Sequence, residues 1–374
     1  MANNKQCLFC CLNPISLFGS FFGLHCFNFQ CEHINKKVII KVSMIRILWS
    51  IFLQLFYTYQ TAELMIYLQF DHNNLMESVT SIADWTVSLV CLLIIQHSLI
   101  FCIKKRTRYY KGLAYLMCNG VEFGVIDVFD QKNLSNLKRL IYGNILTALI
   151  AVVFQCSLGN YKKSIVVLGY MIIAASTAVD LFIHYIIFKR NNNNLKQKLQ
   201  YDLLNGTNLI DVLKKAQKLH LFAIESLEIY VFVSNIVILI GVLFSIAICT
   251  TYIYVLVMYN VFNYDTFDKL DIVYVIVMFI ICCGPMYQIV FVITKLYNVE
   301  NDVLSFLYQY PISKLTQIEA GEVLITINSF ITHKPLIKAS NMFTVGTPLL
   351  ASISGMVITY LLVAIQFHVT LRNK

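Results

Sequence analysis

Seven long apolar blocks, separated by charged segments, dominate this 374-residue sequence. A helix needs about 20 mostly apolar residues to cross the hydrocarbon core of a bilayer, so each block predicts a transmembrane helix. Only 13% of the residues are charged, about half the fraction found in soluble proteins. The predicted fold class is therefore all-α, a polytopic membrane protein with seven transmembrane helices. The predicted spans are 42–68, 79–103, 140–159, 164–188, 229–258, 271–295 and 343–368.

The distribution of lysine and arginine predicts the orientation of these helices. Of the 29 Lys and Arg residues, 23 lie in segments on the side of the N-terminus and five in segments on the other side. Cytoplasmic loops carry such an excess, so we expect a cytoplasmic N-terminus and an extracellular C-terminus. The glycosylation sequons at Asn133 and Asn205 then lie inside the cell, where they stay unmodified.

This topology divides the chain into four predicted parts. They are a cytoplasmic N-terminal segment at 1–41, six spans with cytoplasmic helical extensions at 42–295, a cytoplasmic helical segment at 296–342, and the seventh span with a short extracellular tail at 343–374. Shorter helices are expected at 112–128 and 315–331. Apolar residues between 195 and 228 recur at helical spacing and predict a packed cytoplasmic layer, with a solvated basic linker as the alternative. The run Asn191 to Asn194 predicts a polar hinge before it.

Several function classes find no support in the sequence. It contains no Gly-rich phosphate loop, no HExxH motif and no nucleophile with an identifiable base, so we expect no enzyme. The net charge of +9 comes from loop residues that membrane topology explains, so no nucleic-acid partner is expected. Seven of the twelve cysteines lie within or beside apolar blocks and are interpreted as buried thiols. The cluster Cys7, Cys10 and Cys11 lacks a following His/Cys pair at finger-like spacing, so neither a metal site nor a cofactor is predicted.

Polar residues at membrane depth are candidates for function, because they are costly there. Asp180 and His184, four residues apart, predict a charge-assisted contact on one helix face. Gly284-Pro285 predicts a kink or break in the sixth span, and Gly346 and Pro348 mark the start of the last one. A small-molecule pocket in the outer half is predicted from Asp84, Trp85, Ser88, Gln155, Tyr170, Thr251, Tyr254 and Tyr274. Interfacial anchoring is the alternative for its tyrosines.

The last span places its few polar residues on one face. Thr359 and Gln366 are seven residues apart, close to two helical turns, and Ser352 and Val363 fall near the same stripe. Such a stripe is typical of a pore-lining helix in a symmetric assembly. Hydrogen bonding between packed helices explains the two polar residues equally well.

The motif TYLLVAIQF at 359–367 resembles the signature of insect gustatory receptors, and NPISLFGSFFGLHCF at 13–27 resembles the segment before their first span. The resemblance implies a ligand-gated, non-selective cation channel for taste compounds in the plasma membrane. It implies a homo- or hetero-tetramer with related subunits, a pore lined by the last helix, Gln366 at the gate and Phe367 packed beside it. The ligand would be a small-molecule tastant, and membrane lipid would surround the helices. A G-protein-coupled-type chemoreceptor and a membrane transporter are the alternatives.

Overall fold

The computed structural model describes residues 8–21, 26–32, 37–70, 100–119, 131–157, 161–205, 209–262, 269–339 and 342–372. Nine α-helices lie within these residues. They are α1 (Leu8–Phe21), α2 (Met44–Phe70), α3 (Ile103–Asn119), α4 (Gln131–Ser157), α5 (Tyr161–Asn205), α6 (Leu209–Phe262), α7 (Lys269–Tyr308), α8 (Gln317–Thr332) and α9 (Thr347–Arg372). A short 3-10 helix at Ile312–Lys314 precedes α8. The capping box of Thr316 and Glu319 fixes the start of α8.

Two small antiparallel hairpins interrupt the helices. In the first, β1 (Phe27–Glu32) pairs with β2 (Lys37–Val42), with Phe27 opposite Val42. In the second, β3 (Lys338–Ala339) pairs with β4 (Phe343–Thr344). Phe9 of α1 and Phe27 of β1 are buried in the main core, where the Phe27 ring meets the edge of Tyr110. The N-terminal segment is therefore packed onto the helical bundle.

Four described helices are long and apolar enough to cross a membrane, in the stretches Lys132–Val153, Met171–Tyr201, Leu209–Val257 and Thr347–Phe367. These correspond to the predicted third, fourth, fifth and seventh spans. The first predicted span coincides with α2 and the sixth with the first part of α7. Most of the predicted second span, 79–103, lies outside the described residues. The structure thus confirms a helical chain with several candidate spans.

The structure corrects three local predictions. The last helix begins at Thr347 and not at 343, because Phe343–Thr344 forms a strand with Lys338–Ala339. The predicted hinge at 191–194 is the uninterrupted middle of α5. Pro285 does not break the sixth span, since α7 runs through it as one helix. Membrane helices tolerate such a proline where neighbouring helices support the backbone.

The predicted packed layer below the spans is confirmed, and the solvated linker is excluded. A hydrophobic cluster, here named the basal layer, joins the ends of α5, α6 and α7 to α8. Its buried members are Leu195, Leu199, Leu209, Leu213, Ala216, Val303, Leu304, Leu307, Tyr310, Val323, Ile327 and Phe330. Tyr310 Oη also donates to the carbonyl of Leu199, 3.2 Å away. The first part of α6, residues 209–228, carries charged residues along its length, so it lies outside the membrane-spanning part.

Candidate functional site

The last helix, α9, packs little against the part of the chain that the structure describes. It is apolar enough to span a membrane, yet only 11% of its most apolar stretch is buried. Among the side chains of α9 that the structure describes, Leu349 and Val357 are buried, and both lie in the half nearer the start of the helix. An apolar helix with this little intramolecular packing presents most of its surface to lipid or to other chains.

The predicted pore residues lie on this uncovered surface. Four of them are exposed near the end of the helix, namely Thr359, Val363, Gln366 and Phe367. Ser352, about two turns before Thr359, is exposed as well. The hydroxyl of Thr359 donates to the carbonyl of Gly355 at 2.9 Å, and that of Ser352 donates to the carbonyl of Pro348 at 3.2 Å. Both hydroxyls are therefore bonded to their own helix. Because its residues are exposed, the predicted stripe faces away from the rest of the chain.

A hydrogen-bonded tyrosine fixes the chain just before α9. Tyr297 of α7 donates its hydroxyl to the carbonyl of Val345 at 3.1 Å and accepts from the amide of Ile337 at 3.0 Å. The Tyr297 ring also lies 3.5 Å from where a side chain at Gly346 would begin, an ordinary van der Waals distance, so the ring packs against this part of the chain. Thr294 and Thr347 share a 3.1 Å hydrogen bond beside it. These contacts connect α7 directly to the start of α9.

The structure describes the predicted outer pocket only in part. Asp84, Trp85 and Ser88 lie outside the described residues, while the backbones of Gln155, Tyr170 and Tyr274 belong to α4, α5 and α7. Thr251 and Tyr254 are half-buried on α6, where the hydroxyl of Thr251 donates to the carbonyl of Ala247 at 3.0 Å. Whether these residues form one pocket stays a prediction.

A polar cleft between α3, α5 and α6 was not predicted as a unit. Its cavity volume is about 30 Å³, room for about two water molecules. Its polar lining consists of Arg106, Tyr109, Tyr110, Ser176, Thr177, Asp180, Tyr230 and Ser234. Tyr230 donates its hydroxyl to the carbonyl of Thr177 at 3.1 Å. A guanidinium and a carboxylate, both buried, thus border the same cleft.

The contact of His184 with Asp180 differs from the predicted one. His184 Nδ1 lies 2.9 Å from the backbone carbonyl of Asp180, one turn earlier in α5, so the imidazole donates to the backbone and not to the carboxylate. The His184 ring is stacked against Tyr109, with centroids 5.5 Å apart. His184 is therefore a packed and hydrogen-bonded core residue.

Sequence reasoning missed Arg106, Tyr109 and Tyr110, which bring the cleft together from α3. Little in the sequence indicated their role, because Arg106 belongs to a basic run that membrane topology alone explains. The two adjacent tyrosines after it were the one available indication of burial. Among the described residues, no group of three or more His, Cys, Asp or Glu side chains is placed to hold a metal ion.

The basal layer adjoins a buried polar pair. His220 of α6 and Glu300 of α7 are both almost fully buried, and His220 Nε2 donates to the carbonyl of His333 at 3.1 Å. Burial raises the pKa of Glu300 to about 7, although the Asn192 amide and the Lys334 charge partly oppose the shift. Burial lowers the pKa of His220 to about 4. Near neutral pH the imidazole is therefore uncharged, and Glu300 titrates in the range where cells operate.

Comparison with solved structures identifies proteins with a similar fold. The chain superposes on the insect olfactory receptor OR5 from Machilis hrabei with a TM-score of 0.71 over 95% of this chain and 97% of that one, at 12% sequence identity. This chain has the fold of an insect olfactory receptor. The same receptor in complex with eugenol matches with a TM-score of 0.69, 13% identity and the same coverage. No protein-family profile and no curated protein matches the sequence.

Proposed function

We propose that this chain is a subunit of a gustatory receptor, a ligand-gated non-selective cation channel whose pore is lined by α9. The observation that carries the proposal is the uncovered α9, whose polar stripe of Ser352, Thr359 and Gln366 faces away from its own subunit. The resemblance of the motif at 359–367 to the gustatory signature supports it, and so does the shared fold with an olfactory receptor.

Placing four copies of α9 around an axis would satisfy both properties of the helix. Its apolar flanks would pack against neighbouring copies or lipid, and its polar stripe would face water. Gln366, near the end of the helix, would form a ring of amides at the gate, with Phe367 packed beside it. With a cytoplasmic N-terminus and seven spans, that ring lies on the extracellular side of the plasma membrane.

The ligand of this channel is a small-molecule tastant held in the outer half of the helical bundle. The half-buried Thr251 and Tyr254 on α6 are the described members of the proposed pocket. Its lining is aromatic and sparsely polar, which favours an apolar or bitter compound over a sugar. The structure of OR5 with eugenol is a precedent for a small aromatic ligand in this fold.

The contacts at Tyr297 support a path of transmission from the proposed pocket to the proposed pore. Ligand-dependent movement of α6 or α7 reaches the start of α9 through the hydrogen bonds of Tyr297 with Val345 and Ile337. These bonds connect the element that gates the channel to one that borders the pocket. Partner subunits, identical or related, complete the tetramer.

Whole-cell recording tests the proposal. The chain is expressed in cultured cells, alone and with related receptor subunits, and panels of bitter, sugar and volatile compounds are applied while the current is measured. The expected result is a ligand-evoked current that reverses near 0 mV in mixed sodium and potassium solutions. Ligand responses that need a G protein and carry no current through the chain would refute the channel assignment.

A further inference from the structure

Two cysteine side chains on neighbouring helices lie within contact distance of each other. Cys249 of α6 and Cys283 of α7 have their Sγ atoms 3.1 Å apart, and either thiol can donate to the other. Neither forms a disulfide in the structure, and both are half-buried. This separation is shorter than an ordinary contact between carbon atoms, about 3.5 to 4.0 Å. The pair is therefore held together by the packing of α6 on α7.

The two helices approach closely along this interface. At Gly241 of α6, an added side-chain carbon would lie only 3.3 Å from the sulfur of Met286, one turn of α7 from Cys283. The adjacent segment of α7 also has room to adjust, because Gly284 has open space beside it and Pro285 cannot donate its backbone hydrogen bond. Forming a disulfide, with sulfurs about 2.05 Å apart, requires about 1 Å of further approach.

We propose that Cys249 and Cys283 are a redox-active pair that a membrane-permeant peroxide converts into a disulfide between α6 and α7. One sulfur attacks a peroxide oxygen, the O–O bond breaks, and a sulfenic acid forms with release of water. The second thiol then attacks the sulfenic sulfur, the S–O bond breaks, and a second water leaves with the thiol proton. Two thiols are oxidised by two electrons in total, and one peroxide is reduced.

The position of the pair gives the disulfide a consequence for the receptor. Thr251 and Tyr254 follow Cys249 within about two turns of α6. A covalent link at Cys249 would fix this part of α6 against α7 and so restrict the outer pocket. This effect on signalling rests on the proposed function, whereas formation of the disulfide does not.

Peptide mapping of the full chain tests the bond itself. The protein is reconstituted in phosphatidylcholine nanodiscs and treated with hydrogen peroxide or with a phosphine reductant. Remaining thiols are then blocked with maleimide before digestion and mass spectrometry. Peroxide is expected to produce a linked peptide pair, lighter by two hydrogens, that the reductant separates. Cys249→Ser and Cys283→Ser each remove the link, while Cys102→Ser and Cys282→Ser retain it.

Equal maleimide labelling of Cys249 and Cys283 after peroxide and after reductant would overturn the proposal. So would a link from Cys249 to Cys282 or to any other cysteine.

In ligand-evoked recordings, peroxide is expected to reduce the current several-fold, reversibly, and Cys249→Ser is expected to remove that sensitivity. A linked peptide from a chain that conducts no current would leave the redox pair standing and count only against the channel. The two proposals therefore fail separately.

Discussion

His220 and Glu300 face each other across the interface of α6 and α7, with Nε2 and Oε1 3.7 Å apart and both side chains buried. The distance exceeds that of a hydrogen bond, and the imidazole proton on Nε2 is directed to the carbonyl of His333. The pair is therefore a carboxyl group beside a neutral histidine. The two groups do not form an ion pair while the histidine is neutral, and the charge of Glu300 depends on pH.

Glu300→Gln should make the protein more stable than the wild type at alkaline pH. The pKa of Glu300 is about 7 in the folded chain, above its ordinary value of 4.5. Its contribution to stability is thus fully present below pH 4.5 and is lost as pH rises through 7. The loss corresponds to about 3 kcal/mol. We expect the melting temperature of Glu300→Gln to exceed that of the wild type at pH 8, with a smaller difference at pH 5.5.

Glu228→Gln, an exposed change on α6, is the matched control for this measurement and should shift the melting temperature equally at both pH values. A Glu300→Gln difference that is the same at pH 5.5 and pH 8 would contradict the assignment of a buried, titrating carboxyl. Melting of detergent-solubilised protein, followed by intrinsic fluorescence, is sufficient.

Tyr297→Phe should weaken the attachment of α9. The change removes one donor and one acceptor, leaving the carbonyl of Val345 and the amide of Ile337 without this partner. A lost hydrogen bond with an unsatisfied buried group costs roughly 1–3 kcal/mol. The expected result is a lower melting temperature, whereas Tyr308→Phe, on the exposed end of the same helix, leaves it unchanged. Identical melting of both variants would show that Tyr297 contributes only its ring.

Gln366 substitutions should alter permeation if α9 lines the pore. An amide ring replaced by arginine would repel cations, so Gln366→Arg is expected to reduce ligand-evoked current at least several-fold. Gln366→Ala should change conductance or ion selectivity, measured from reversal potentials under bi-ionic conditions. Ser354→Ala, on the opposite side of α9, serves as the control. Current that is unaffected by Gln366→Ala and by Thr359→Phe would exclude this face as the pore lining.

Phe330→Ala should destabilise the basal layer. The ring of Phe330 is fully buried and lies against His220, with ring centroids 4.1 Å apart. Truncating a buried phenylalanine costs about 3–5 kcal/mol. We expect a reduced yield of folded protein and a lower melting temperature, compared with Leu324→Ala on the exposed face of α8. Equal losses from both variants would indicate that the layer is not a cooperative core.

Epitope accessibility should establish the orientation. A tag at the C-terminus is expected to bind antibody on intact cells, and a tag at the N-terminus only after permeabilisation. Asn133 and Asn205 should carry no glycan, so glycosidase treatment should not change the mobility of the chain. A glycan on either residue, or the reverse accessibility of the tags, would refute the predicted topology.

Local patterns predicted the helices well, because bilayer thickness and helical rise fix the length of an apolar block. The basal layer also followed from spacing, since Leu209 and Leu213, four residues apart at the start of α6, are both buried in it. The hinge at 191–194 failed for a different reason. Four asparagines indicate a loop by composition, but Asn192 is buried in α5 and donates to the carbonyl of Val299 on α7 at 3.1 Å.

Contacts between distant segments account for what the sequence did not predict. Arg106 and Asp180 line one cleft although more than seventy residues separate them, and nothing local to either position indicates the other. The proximity of Cys249 to Cys283 depends likewise on how α6 packs against α7. The polar stripe of α9 was different, because its seven-residue spacing is a property of a single helix. The stripe is exposed in the structure, and its place in a pore stays a prediction.

The continuity of α6 has a mechanical consequence. Its 54 residues form a rod about 80 Å long, more than twice the thickness of a hydrocarbon core. If it moves as one body about a point near Thr251, a tilt of about 3° displaces its far end by roughly 3 Å. Near the pivot at Thr251 the helix would hardly move. At the far end the displacement is large enough to shift the neighbours of His220 and Leu213. The helix would act as a lever that amplifies a small event near one membrane surface into a movement beyond the other.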